Sequence, residues 1–139
     1  MPDHWLVGIV APFGRMRGTP LHHANIAVVD DNDLVRGAVS SLLRSMGHRT
    51  HVFDCGDAFL SSGVVVDCVL TDLQMPGRSG LAVAAELASH DRPPRIILMT
   101  AHADPTLASR CEKLGFAALL EKPLDSKLLI AAVEKAIRR

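Results

Sequence analysis

The chain has 139 residues, 48% hydrophobic and 22% charged, which suits one globular domain with a single core. Lysine plus arginine equals aspartate plus glutamate at 15 each, so no basic field points to nucleic acid or anionic lipid. The longest apolar runs fall far short of the roughly 20 residues that cross a bilayer.

Residues 1–24 carry Pro2, Pro12, Pro20, Gly8, Gly14 and Gly18, a linker composition with one apolar patch at residues 5–11. No Lys or Arg precedes that patch and no cleavage site follows it, which argues against a signal peptide. The segment reads as an N-terminal arm or linker ahead of a domain over residues 25–139. His22 and His23 read as a solvated pair, not a zinc site.

Order begins at residues 26–29, a short buried strand running into Asp30 and Asp31. From Asp33 to Met46 the spacing predicts a helix with Leu34, Val35, Ala38, Val39, Leu42, Leu43 and Met46 on one apolar stripe, stopped by Gly47. Residues 50–53 form a more mixed strand, as expected at a sheet edge. A short helix is predicted over residues 54–62, broken by Gly63. The apolar run from Val64 then ends at Thr71 and Asp72, before a Pro-Gly turn at Pro76 and Gly77.

An alanine-rich helix follows over residues 81–89, and Pro93-Pro94 forces a loop. Residues 96–99 form another buried strand, ending at Thr100. Asp104 before Pro105 marks a helix start, and that helix ends near Gly115. Residues 116–120 predict the fifth strand, ending at Glu121, Lys122 and Pro123. Asp125 caps a last helix with Leu128, Leu129, Ala132, Val133, Ala136 and Ile137 on its apolar stripe. Continuous apolar strands alternating with helices predict a parallel sheet covered on both faces, a three-layer doubly wound α/β domain. The cysteines, Cys55, Cys68 and Cys111, are odd in number and lack C-x-x-C spacing, which fits a reduced cytoplasmic compartment.

Four predicted strands end in polar groups: Asp30 with Asp31, Asp72, Thr100 and Lys122. In an open parallel sheet the C-terminal strand ends share one edge, where the ligand crevice forms. Two carboxylates at about 4 Å repel by roughly 4 kcal/mol at an effective dielectric of 20, so three need a cation to stay ionised together. Hard oxygen ligands without His or Cys suit Mg2+. An acid pocket with an ammonium and a hydroxyl suits a phosphoryl group, one Asp being its acceptor.

From Asn25 onward the chain resembles a response-regulator receiver domain. The resemblance rests on VVDD at residues 28–31, TDLQMPGRSG at 71–80, MTA at 99–101 and EKP at 121–123. It implies the flavodoxin-like strand order 2-1-3-4-5, with Asp72 as phosphoacceptor. It further implies Mg2+ held by Asp31, Asp72 and the Gln74 carbonyl, with Asp30 acting mainly through metal-bound water. Thr100, Lys122 and the accessible N–H of Ala101 would meet phosphoryl oxygens, and Gln74 lies where the family tunes hydrolysis.

The implied donor is a histidine kinase or phosphotransfer protein. The implied readout, to an unspecified effector or a homodimer, is through the face of the fourth helix, fifth strand and fifth helix. No direct nucleic-acid or membrane contact is expected, and catalysis on a separate substrate is not. The Lys122–Pro123 bond is expected to be cis. Leu119 departs from the family, standing where many receivers carry the Tyr or Phe that moves with the threonine on activation. Two other readings compete: a degenerate receiver used only for binding, and a phosphohydrolase built on Asp31-Asn32-Asp33. No output domain is recognised before Arg139, leaving open a stand-alone receiver or a piece of a longer chain.

Overall fold

A computed structural model describes residues 23–138. The expected arm over residues 1–24 therefore lies outside the described residues except for His23 and Ala24. Ala24 is buried, and its N–H donates to Nδ1 of His48 at 3.1 Å.

Five strands alternate with five helices. In chain order they are β1 (Asn25–Val29), α1 (Asp33–Ser45), β2 (Arg49–Phe53), α2 (Gly56–Ser62), β3 (Cys68–Asp72), α3 (Gly80–Leu87), β4 (Arg95–Thr100), α4 (Pro105–Lys113), β5 (Ala118–Glu121) and α5 (Ser126–Ile137). All neighbouring strands pair in parallel, in the order β2-β1-β3-β4-β5. This is the expected doubly wound fold.

Because side chains alternate across a strand, each central strand feeds two cores. Ile26, Val28, Leu70 and Met99 pack with Val39 and Leu43 of α1 and with Leu129 and Val133 of α5. Ala27, Val29, Val69 and Leu98 pack on the other face with Phe59, Val83, Leu87 and Cys111. β2, at one edge, is only partly covered, and Val52 is exposed. Cys55, Cys68 and Cys111 are free thiols; burial pushes Cys68 up to about 12 and Cys111 up to about 11.

Helix starts are set by side-chain caps that satisfy otherwise unpaired N–H groups. Asn32 accepts from Leu34 and Val35, Ser79 from Ala82, Asp104 from Leu107, and Asp125 from Lys127 and Leu128. Each of these caps follows a strand, so they fix the loops around the C-terminal edge of the sheet. The Lys122–Pro123 bond is cis, as the resemblance implied.

Three local expectations need correction. The apolar run from Val64 is not strand throughout: β3 starts at Cys68, and Val65 is 85% exposed. β1 begins at Asn25, whose carbonyl takes the Asp67 N–H, so residues 64–66 extend past the last available strand partner. Leu34 is 83% exposed, because it lies off the face of α1 on which Val35, Val39, Leu42 and Leu43 pack. The fifth strand starts at Ala118, although Phe116 and Ala117 are buried ahead of it.

Candidate functional site

The sequence-predicted acids meet at the C-terminal edge of β1 and β3. One carboxylate oxygen from each of Asp30, Asp31 and Asp72 lies within 4.8 Å of the others. Asp30 is fully buried, Asp72 is buried at the end of β3, and Asp31 is exposed. Lys122 reaches over from β5: its Nζ lies 2.8 Å from Oδ2 of Asp30 and 3.4 Å from Oδ2 of Asp72.

Hydrogen bonds hold Asp30 and the loop after Asp72 in place. The Asp30 N–H donates to the Phe53 carbonyl at 3.1 Å. Oδ1 of Asp30 accepts from the Asn32 N–H at 2.8 Å, and its carbonyl accepts from Arg36 at 2.6 Å. Past Asp72, the Leu73 N–H donates to Met99 at 2.7 Å, and the Gly80 N–H returns to the Leu73 carbonyl at 2.9 Å, closing the loop between them. Gly80 fits because it lacks a Cβ, which would collide with the Asp72 carbonyl oxygen and stand 3.0 Å from Cδ1 of Leu98.

Burial raises the Asp72 carboxyl above its ordinary range, and the Asp30 charge adds to the rise against the opposing pull of Lys122. Burial alone would lower the Lys122 ammonium. The Asp30 hydrogen bond and the Asp30 and Asp72 charges outweigh it, leaving Lys122 raised and firmly cationic.

The donor set fits a hard divalent cation. It consists of carboxylate oxygens, whose mutual repulsion a cation relieves. Both oxygens of Asp30 already have partners, Lys122 and the Asn32 N–H. Asp31 and Asp72 are thus the freer carboxylates.

The other expected residues lie on β4, β5 and the loops after β3 and β4. Thr100 is buried at the end of β4; its Oγ1 accepts from the His102 N–H at 3.1 Å. Ala101 and Gln74 are exposed in the loops after β4 and β3. Leu119 is fully buried, paired across the ladder with Leu98 in the core under α2, α3 and α4. The Asp31-Asn32-Asp33 triplet does not act as one site: Asn32 caps α1 and Asp33 pairs with Arg36.

Three contributing residues escaped the sequence reading. Arg36 braces Asp30 through its carbonyl, and its only sequence signal was its place three residues after Asp33. Glu121 accepts from the Ala103 N–H at 3.2 Å, a contact across 18 residues that no local pattern reveals. Gly80 lies inside TDLQMPGRSG, but spacing carries no sign that a Cβ at this position would meet the Asp72 carbonyl.

Residues 26–134 match the family model for the response regulator receiver domain. The chain is 41% identical over 116 residues to the transcriptional regulatory protein FixJ of Azorhizobium caulinodans, covering 82% of this chain and 55% of that protein. It is 32% identical to the DNA-binding transcriptional regulator NtrC of Salmonella typhimurium, covering 79% of this chain and 24% of that protein. The chain spans about half the length of the FixJ relatives it matches. With relatives bearing such names, the expectation of no nucleic-acid contact is not sustained for a longer assembly.

Among solved structures, full-length FixJ from B. japonicum superposes with a TM-score of 0.73 at 37% identity, covering 83% of this chain and 58% of that one. The BeF3-activated DrrB receiver domain gives 0.77 at 25% identity, covering 85% of this chain and 100% of that one.

Proposed function

The chain belongs to the response regulator receiver domain family and is a phosphoaccepting module of two-component signalling; from that premise we propose that Asp72 is its acceptor. The observation that carries the assignment is a buried carboxylate, raised in pKa, beside a fixed ammonium and two further acids. The proposed donor is a phosphohistidine on a histidine kinase or phosphotransfer protein. The proposed domain is residues 25–139, with 1–24 an extension.

One Asp72 carboxylate oxygen attacks phosphorus. The O–P bond forms as the N–P bond breaks, and the bonding pair leaves on the donor imidazole nitrogen. Lys122 sits ready to balance charge on the transferred oxygens, while Asp30 holds its Nζ in place. The Thr100 hydroxyl and the Ala101 N–H supply further donors. Asp31, Asp72 and the Gln74 carbonyl would hold Mg2+, with Asp30 acting through water; when bound, the ion would supply charge neutralisation to the phosphoryl and carboxylate oxygens.

Among the described residues no helix is long and apolar enough to cross a membrane, and the proposed setting is the cytoplasm. The chain acts as a signalling phosphoacceptor; participation only in its own phosphorylation and dephosphorylation is the finer proposal. Its readout is proposed to be the α4–β5–α5 face, seen by an effector or a second copy. Leu119 lacks the length and polar tip of Tyr, so it packs in both states and does not by itself shift their populations.

Incubating the chain with acetyl phosphate and Mg2+ is expected to add one phosphate per chain, removable by hydroxylamine. No incorporation, or a hydroxylamine-resistant adduct, counts against the assignment.

A further inference from the structure

We infer that Glu121 is a positioning residue for phosphorylation: its hydrogen bond to the Ala103 N–H latches the β4–α4 loop in the arrangement that turns the Thr100 hydroxyl to His102. This deepens the proposed function and rests on Asp72 being the acceptor.

Three facts converge on the latch. Thr100 and Glu121 are direct partners in the β4–β5 ladder, with the Lys122 N–H donating to the Thr100 carbonyl at 2.8 Å. The strand ends therefore do not slide past one another freely. The Thr100 hydroxyl is already engaged within its own loop, accepting from the His102 N–H at 3.1 Å and donating to the His102 carbonyl at 3.4 Å. One residue further on, the Ala103 N–H donates to Oε2 of Glu121 at 3.2 Å. The carboxylate thus pins the backbone next to the residue that holds the Thr100 hydroxyl.

For Thr100 to donate to a phosphoryl group on Asp72, its O–H must turn away from the His102 carbonyl. Either the threonine rotates away from a fixed loop, or residues 101–103 move with it. In the second case the Ala103 N–H leaves Glu121, and phosphorylation opposes the latch. A group that binds one of two states better shifts their ratio by that difference. With the non-aromatic Leu119 fully buried beneath the strand end, Glu121 gives this chain an exposed, side-chain-to-backbone restraint on the same loop. α4 begins at Pro105, so releasing the loop also frees the first turn of a helix on the proposed readout face.

The charge of Glu121 also lies next to Lys122 in sequence, and its removal alone would favour an anionic phosphodonor. Two substitutions separate the effects. Glu121→Ala removes both the charge and the acceptor; Glu121→Gln removes the charge and keeps a carbonyl acceptor of the same reach.

The test is the initial rate of labelling by acetyl phosphate with Mg2+, with Ala103 amide exchange followed by NMR. The expected result is about a fivefold faster rate in Glu121→Ala, the worth of one net hydrogen bond, with faster exchange at Ala103. Glu121→Gln should stay near the wild-type rate and exchange. Equal acceleration in both variants would assign the effect to charge and overturn the latch. A rate in Glu121→Ala at or below wild type would overturn it too. If the wild type itself takes no phosphate while Ala103 exchange responds as expected, the acceptor assignment fails and the loop contact stands alone.

Discussion

Asp72→Asn is expected to melt higher than the wild type in EDTA and to lose the wild type's response to Mg2+. Burial and the Asp30 carboxylate hold the Asp72 carboxyl above its ordinary range. A raised carboxyl contributes its full share of stability only below its unfolded pKa, and that share is lost as pH rises through the folded value. Where the carboxyl is ionised, the form that binds a cation and attacks phosphorus, the wild type has lost it. Asparagine is neutral and of similar shape, so the variant escapes the repulsion while Lys122 keeps its 2.8 Å bond to Asp30.

Mg2+ relieves the same repulsion in the wild type. Ligand linkage gives about 2.7 kcal/mol when metal stands a hundredfold above its dissociation constant. Thermal melts of both proteins across pH 5 to 8, with and without millimolar Mg2+, check this. The gap in EDTA should widen as pH rises. An Asp72→Asn midpoint below wild type in EDTA, or an equal Mg2+ response in both, would contradict the account.

The second large effect is expected at Gly80. A Cβ here meets the Asp72 carbonyl oxygen and the Leu98 side chain at once, and valine adds two further carbons to it. Gly80→Val is expected to destabilise by about 2–3 kcal/mol, at the upper end of ordinary overpacking, because a strand backbone has to move. Denaturant unfolding measures the loss. Since that backbone carries the acceptor, labelling by acetyl phosphate should slow even where the variant remains folded. Gly37, in α1, has nothing within 4 Å of its would-be Cβ. Gly37→Ala should therefore stabilise, by up to about 1 kcal/mol.

Those contrasting glycines show where sequence reading stops. The strand-end acids were legible because a parallel sheet puts every C-terminal strand end on one edge, whatever the loops do. Thus Asp30, Asp72, Thr100 and Lys122 come together from pattern alone. The extent of each strand was not legible in the same way. Val64, Val65 and Val66 have strand-like composition, but a strand exists only where a partner runs beside it, and β1 does not reach that far.

Leu34 failed for a different reason. The face of α1 that packs is set by Val35, Val39, Leu42, Leu43 and Met46, and Leu34 points off that face. Contacts such as Glu121 to Ala103 depend on two loops meeting across 18 residues, and periodicity carries no trace of them. Side-chain type found the acids; only geometry shows that Asp30 is already spoken for while Asp31 faces outward.

The central claim is that one carboxylate, Asp72, receives the phosphoryl group. Reduction of the phosphorylated protein with borohydride converts an acyl phosphate to the alcohol and marks the acceptor permanently, so peptide mass spectrometry locates it. The account predicts a single homoserine at position 72. A mark at Asp30 or Asp31, or an unmodified Asp72 in protein that had taken up phosphate, would contradict it.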